Sequence, residues 1–468
     1  MIGFYEVLDR AMSGTYCPES DFEMNRLVPK IQEVLTKYSI TYDPETPVPS
    51  DDDLADRVFQ AGFELYRDVG TYCPNTERII QFTEDEIWEG LADAPSVSIF
   101  GEGKDAKKLV PRKPDSTTPP FCFVGAVGAP VSNEELYASI VEAYASFIPL
   151  ADSITAPSIA SINGRAVRTG SPLEVLASIR ATVLGHEALR RGGRPGLPIM
   201  NSIATAGSDV AKIAGSLFGI RNSDAWCISH SCELKLGFQR LNEIATAISR
   251  GGQVLAVFAP MLGAYCGGPE GTAVVNVAYL FSSILVMRGR CLLTFPMNFK
   301  YGTTTTRDVI WAKSVSCQAM TRNSHFPVFV DHYTTAGPMT EMFFYENAAD
   351  IISSVVSGGH ITSPGVAKAT HTDYFTPMEP RFSTEVAHAA AQLTRTEAND
   401  VVKRLLDTYE ADLGNPPLGK KYEECWDIHR KTPHEAYVQL YDRVKKEIEG
   451  MGVPFSANAA RRQQPKTE

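Results

Sequence analysis

The chain has 468 residues, with 44 Lys and Arg against 55 Asp and Glu, a formal charge of −11. An acidic chain without a basic run is a poor ligand for nucleic acid or an anionic membrane, so neither partner is expected. Hydrophobic residues make up 44% and charged residues 21%, which allows a large core and excludes disorder of the whole.

The opening MIGFYEVLDRAMSG has no basic region followed by an apolar run, so no secretory signal is expected. The charge-free stretches Gly251–Pro269 and Gly271–Met287 are broken by glycines, prolines, Asn276, Ser282 and Ser283, which argues against a membrane span. A soluble cytoplasmic protein is expected. Residues 1–95 read as helical, with a capping box at Thr83–Glu86 and an apolar face of Ile87, Trp88 and Leu91. The pentapeptide GTYCP occurs at Gly14–Pro18 and at Gly70–Pro74, and each copy reads as a turn between helices. Residues 104–120 are charged and proline-rich and read as an exposed connector.

From Pro120, short apolar runs alternate with helix patterns. The predicted strands are Phe121–Gly125, Ser153–Ile159, Leu197–Ile203, Ala225–His230, Val254–Met261, Cys291–Pro296 and Phe326–Tyr333, with an eighth near His360–Ser363. Helices are predicted at Asn133–Ser146, Pro172–Arg190, Leu241–Ser249, Thr272–Arg288, Thr306–Ala319 and Glu341–Val356, the first capped by SNEE at Ser132–Glu135. This order predicts an α/β fold, a (β/α)₈ TIM-type barrel with helical N- and C-terminal extensions. The expected division is 1–119, 120–395 and 396–468. Neither a G-x-G-x-x-G nor a Walker loop follows the first strand. The tail predicts helices over Thr396–Asp412 and after a capping box at Thr432 and Glu435, with Tyr437, Leu440, Tyr441 and Val444 on one face. The nine cysteines form no C-x-x-C pair and read as reduced packing residues.

A barrel carries its chemistry at the C-terminal ends of its strands. That selects Arg165 and Arg168 after the second strand, Ile203–Ser208 after the third, His230 at the end of the fourth, and Glu270 in GAYCGGPEG after the fifth. The seventh strand ends in Asp331, His332 and Tyr333, followed by Glu341. Consecutive strand residues point alternately, so Asp331 and Tyr333 share one face and His332 the other. His230 and Cys232, with Cys227 nearby, have ligand chemistry, and a shared strand face makes them the candidates for zinc. Glu270 has a plain alternative in a tight glycine turn.

Several blocks resemble the monomethylamine methyltransferases of methanogens. They are Gly62–Trp88, GSPLEVLASI (Gly170–Ile179), GRPG (Gly193–Gly196), GAYCGGPEGTAVVNVA (Gly263–Ala278), HYTTAGPMTEM (His332–Met342) and Gly419–Asp442. They fall in the same order over nearly the full length. The resemblance implies a (β/α)₈ barrel that moves a methyl group from an amine to the cobalt of a corrinoid (cobalamin) carried by a separate partner protein. It also implies a homo-oligomer. In that family the amine binds at pyrrolysine, in a context of the type S-L-S-A-pyrrolysine-G. The matching stretch here is SIATAG, which places Ala206 at that position and Gly207 after it. The family's Gly-Gly-x-Glu glutamate matches Glu270, and its Gln-Tyr-Tyr is replaced by Asp331-His332-Tyr333.

The exchange of an amide for proton-trading groups, and the loss of pyrrolysine, suggest an oxygen leaving group. The expectation is therefore O-demethylation of a methoxylated aromatic, with Glu270, Asp331, His332 and Tyr333 catalytic. Arg165, Arg168, Ala206, Gly207, His230 and Glu341 would contact the small methylated substrate, an arginine pairing with its carboxylate. A quaternary-amine or betaine-type N-methyl donor, and an inactive scaffold subunit, are the alternatives.

Overall fold

The computed structural model describes residues 2–125, 129–200, 207–363, 365–366 and 370–455. Its centre is a seven-stranded parallel sheet. The strands are β1 (Cys122–Val124), β2 (Ser153–Ile154), β3 (Ala225–Ser229), β4 (Gln253–Phe258), β5 (Cys291–Thr294), β6 (Val328–Val330) and β7 (His360–Ser363). Their order is β3-β4-β5-β6-β7-β1-β2, so the sheet curls until its two ends approach one segment. Ile154 N donates to Pro198 O (2.9 Å), and Ala225 N donates to Ile199 O (3.2 Å). The predicted strand Leu197–Ile203 thus touches both edges through a bridge at Ile199, and its residues 201–203 lie outside the described set.

Helices cover the convex side. They are α1 (Phe4–Ser13), α2 (Val28–Lys37), α3 (Asp52–Val69), α4 (Glu84–Ala92), α5 (Glu134–Phe147), α6 (Pro172–Arg191), α7 (Asp209–Gly219), α8 (Phe238–Ser249), α9 (Pro269–Leu285), α10 (Arg307–Asn323), α11 (Glu341–Val356), α12 (Met378–Ala390), α13 (Arg395–Tyr409) and α14 (Glu435–Gly450). The predicted β-then-α alternation holds because the central strands, such as β4 and β5, are largely apolar on both faces, as a parallel sheet between two layers requires. Helices α7 and α12 were not predicted. Val210, Leu217 and Phe218 of α7 are exposed, so its apolar residues do not mark a single buried face.

On the concave side, alternate strand residues Phe121, Phe123, Ala225, Leu255, Val257, Cys291, Leu293 and Phe329 form a core of their own. The connector plugs the N-terminal end of that core. Lys107–Leu109 pairs antiparallel with Ser98–Phe100, and Leu109 and Phe100 join the interior cluster. Residues 104–120 are therefore not simply an exposed connector. Arg112 within them is buried and donates to Val355 O (2.9 Å), Gly359 O (2.6 Å), Thr118 O (3.1 Å) and Ser116 O (2.9 Å). Burial pushes its pKa down to about 10, which leaves it charged at neutral pH. Arg112→Met strands these carbonyls and should cost about 3 kcal/mol of unfolding free energy in urea titration.

Both GTYCP copies are strands rather than turns. Thr15–Tyr16 and Thr71–Cys73 pair antiparallel with opposite edges of Arg78–Ile80. The capping box at Thr83 and Glu86 forms as predicted. In SNEE the cap is Asn133, whose side chain accepts from Leu136 N at 2.8 Å. The predicted box at Thr432 does not form, because Thr432–Pro433 pairs with Trp426–Asp427 and α14 starts after His434. Tyr437, Tyr441 and Val444 are buried as expected. Among the described residues, no helix is long and apolar enough to cross a membrane.

Candidate active site

The C-terminal end of β6 brings a carboxyl to the mouth of the curled sheet. Phe329 belongs to the interior cluster, so Asp331, two residues on, faces the same concave side. Asp331 is buried and accepts from its neighbour's backbone, His332 N (3.0 Å), and from the Thr362 hydroxyl at the end of β7. Burial pushes its pKa up to about 6, against the opposing effects of those two donors and of Lys313.

Tyr333 follows, its ring 5.3 Å from that of Phe295. Tyr333–Thr334 pairs with Gly365–Val366, and a Cβ on Gly365 would lie 2.1 Å from a Tyr333 ring carbon. Only glycine lets the ring lie against this backbone. Burial raises the Tyr333 phenol well above its ordinary value, so it stays protonated. Cys227 on β3 feels the charge of Asp331 and is pushed by burial to about 12, so it stays a thiol. Asp331, Tyr333, Phe295, Thr362 and Cys227 thus form one cluster.

Two loops are held in place from behind. Glu346 on α11 accepts from Thr335 N (2.7 Å), Ala336 N (2.8 Å), Thr335 Oγ1 (2.9 Å) and Thr305 Oγ1 (2.5 Å). Glu174 on α6 is buried and accepts from Gly170 N (2.7 Å), Gly207 N (2.5 Å), Ser208 N (3.3 Å) and Ser208 Oγ (2.6 Å). Burial alone would raise the Glu174 pKa, but the Ser208 hydroxyl and these N–H groups outweigh it and lower it. Glu174→Gln turns an amide N–H₂ towards donors. It should cost about 2 kcal/mol and speed amide exchange selectively at Gly207 and Ser208, read by hydrogen–deuterium exchange.

The remaining predicted residues do not join the cluster. His332 points to the convex side, where Nδ1 contacts Thr362 O (2.6 Å) and Nε2 contacts Ser354 Oγ (3.1 Å). Burial lowers its pKa well below the ordinary value, so it is a neutral group hydrogen-bonded away from the mouth. His230 is also turned outward, between Lys235 O (3.2 Å) and Ser282 Oγ (3.1 Å), and burial lowers it to about 4. The strand ends at Ser229, so the shared face assumed for zinc is lost, and the exposed Cys232 instead contacts Ala259 O. Among the described residues no three His, Cys, Asp or Glu side chains are grouped to hold a metal ion.

Glu270 sits in the first turn of α9 and accepts from Tyr42 N at 2.9 Å, which turns it towards the N-terminal helical layer. The Gly-Gly-Pro-Glu-Gly turn is tight, with Glu270 tied to Tyr42 rather than free in solvent. Gly267 has φ +72°, and a Cβ on Gly271 would lie 2.1 Å from Cys266 O. Glu341 is exposed and paired with Arg443 of α14. Arg165 lies exposed along an outer groove of about 700 Å³ with Leu176, Arg180 and Val183, and Arg168 is exposed in the next turn. Gly207 is held by Glu174, while Ala206 lies outside the described residues.

A carboxyl that motif reasoning passed over sits on the rim after β3. Glu233 is buried, with Oε1 accepting from Met261 N (3.1 Å), and burial raises its pKa. The Ser-Cys-Glu-Leu-Lys stretch carries no periodic signal that sets Glu233 apart from a surface residue.

A family model described as monomethylamine methyltransferase MtmB matches residues 2–453. The chain belongs to this family. It is 32% identical over 456 residues to monomethylamine methyltransferase MtmB3 of Methanosarcina barkeri (strain Fusaro / DSM 804), covering 96% of this chain and 98% of the relative. It is also 32% identical over 453 residues to MtmB of Methanosarcina mazei, with the same coverage. The crystal structure of the M. barkeri MtmB superposes with a TM-score of 0.92 at 30% identity, covering 96% of this chain and 98% of that one. A hydroxylamine complex of MtmB gives the same values. Membership in the MtmB family makes the chain a methyltransferase in general terms, and it overturns an aryl methyl ether as the donor. Asp331 is compatible with an amine donor, because a carboxylate pairs with an ammonium as readily as an acid serves an ether oxygen.

Proposed function

We propose that the chain transfers a methyl group from a small methylated amine to a corrinoid held by a partner protein. The observation that carries this reading is the buried Asp331 carboxyl at the mouth, beside Tyr333, whose ring packs on Phe295. Above about pH 6 that carboxyl is ionised. A carboxylate in a low-dielectric site accepts hydrogen bonds from an alkylammonium strongly, and a nearby ring face adds attraction for the cation. Asp331 would hold the ammonium nitrogen and so aim the methyl carbon outward along the line of attack. Tyr333, a neutral phenol, would hold a proton on its oxygen beside the departing nitrogen. Nitrogen keeps the electron pair of the broken C–N bond and leaves as the amine shortened by one methyl.

The corrinoid supplies the nucleophile that takes the methyl group. Tyr265 and Phe299 stand 40% and 68% exposed on the rim loops, an apolar edge suited to the face of a macrocycle. Alanine at 206 offers no electrophile to the amine, which places the burden of binding on Asp331. In the same reading the curled sheet closes through Ile199 into an eight-membered barrel over residues 120–395, flanked by the extensions 1–119 and 396–468.

The test is an anaerobic assay with a reduced corrinoid protein, following the corrinoid absorbance as mono-, di- and trimethylamine are added separately. A change with at least one amine is expected. No change with any amine, while the same corrinoid protein is methylated by an authentic family member, would sink the reading.

A further inference from the structure

Lys313 on α10 is fully buried and forms an ion pair with Asp350 on α11. Neither group faces solvent, and the pair sits behind the strand end that carries Asp331 and Tyr333. Asp350 Oδ2 accepts from Thr304 Oγ1 (2.5 Å), and Thr304 Oγ1 accepts from Tyr333 N (2.7 Å). The carbonyl of Tyr333 accepts in turn from Thr304 N (3.0 Å) and from the Thr303 hydroxyl. Both backbone polar groups of Tyr333 are therefore clamped by one loop, and that loop is tied to the ion pair.

An isolated buried pair is a poor stabiliser, because desolvation offsets the attraction and a hydrophobic replacement is often as stable. Here the pair is instead tied to the loop that clamps Tyr333. From these contacts we propose that Lys313 is a positioning residue for the mouth. Through Asp350 and Thr304 it fixes the backbone of Tyr333. This rests on the reading that Asp331 and Tyr333 form the site.

The titratable groups facing the Lys313 ammonium are Asp350 on α11, Asp331 and His332 at the end of β6, and Cys317 on its own helix. Burial drives the Lys313 pKa well below its ordinary value, against the opposing pull of the Asp331 carboxyl and the Cys317 thiol. Reciprocally, the Lys313 ammonium favours the ionised form of Asp331. It is the only cation among the influences on that carboxyl given by the described residues.

The experiment uses the full chain with Lys313→Met, and with Lys313→Met combined with Asp350→Asn. The double variant leaves no uncompensated buried charge and guards against a single variant that does not fold. The Tyr333 amide is followed by hydrogen–deuterium exchange, beside kcat and KM for methyl transfer. The expected result is a folded variant whose Tyr333 amide exchanges about 10-fold faster and whose kcat falls about 10-fold, with KM held within about twofold. A folded variant with exchange and kcat both unchanged would make Lys313 scaffolding only and overturn the proposal. If the unaltered chain methylates no corrinoid from any amine, the functional reading falls. The exchange rate at Tyr333 still decides the role of Lys313.

Discussion

Asp331→Asn is expected to lower kcat/KM for the methylated amine by about 100-fold or more, while making the protein more stable above pH 6. The loss follows from removing the one ionised acceptor that the mouth cluster offers to an ammonium, an interaction to a charged group in a dry site. The gain follows from linkage. The folded state holds the Asp331 proton more tightly than the unfolded chain, with a pKa of about 6 against a model value of 3.8. Stability from this group is therefore complete below about pH 4 and falls as pH rises to about 6. The ionised form then costs roughly 3 kcal/mol, which an amide does not incur. Activity of the unaltered protein runs the opposite way, rising through about pH 6 as the carboxylate forms. Urea unfolding at pH 5 and pH 8, beside kinetics over the same range, measures both trends. Equal activity of the two proteins, or a variant less stable at pH 8, would remove Asp331 from the role assigned to it.

Gly365→Ala should lower kcat about 10- to 100-fold with a stability loss of only about 1–3 kcal/mol. Overpacking of one methyl group costs about that much. The new Cβ would lie 2.1 Å from the Tyr333 ring, so the ring must leave the backbone it rests on. The strand pairing itself need not break, because Gly365 N donates to His332 O (2.6 Å) through the backbone. A displacement of a reacting group by about 1 Å is enough for such a loss. A double-mutant cycle isolates the cause. In a Tyr333→Ala background the extra methyl group has no ring to strike, so Gly365→Ala should then change kcat by less than about twofold. An equal loss in both backgrounds would show that Gly365 acts by another route.

Much of the architecture could be read from residue order. Apolar runs such as Val254–Met261 and Cys291–Pro296 have both faces covered, so their composition marks them whatever their partners are. The alternation of Asp331, His332 and Tyr333 was also legible, because the strand period is two and one residue must face away. Which face was the concave one required Phe329, whose place in the interior cluster comes from the sheet's curl.

The site proved harder to read for an equally physical reason. Glu270 and Glu341 lie close in sequence to predicted strand ends, but their side chains are claimed by Tyr42 and Arg443, each more than 100 residues away in the chain. His230 and Cys232 do not share a strand face, because the strand ends one residue earlier than its apolar pattern. Glu174, Glu346, Asp350 and Lys313 were missed because a charged residue in a helix normally signals a solvent face. Here the three carboxylates turn inward to accept from loop N–H or hydroxyl groups, and Lys313 turns inward to pair with Asp350.

The sequence by itself determined the α/β alternation, the acidic and mixed surface, the family, and the alanine at 206. Local composition and residue order carry that information without reference to distant contacts. Only the tertiary structure decided that Asp331 and Tyr333 share a mouth with Phe295 and Thr362, that the connector plugs the other end, and that a buried ion pair stands behind the site. Those juxtapositions join residues from different strands and helices. They exist because the sheet curls and buries its concave face, an event that no local window of residues records.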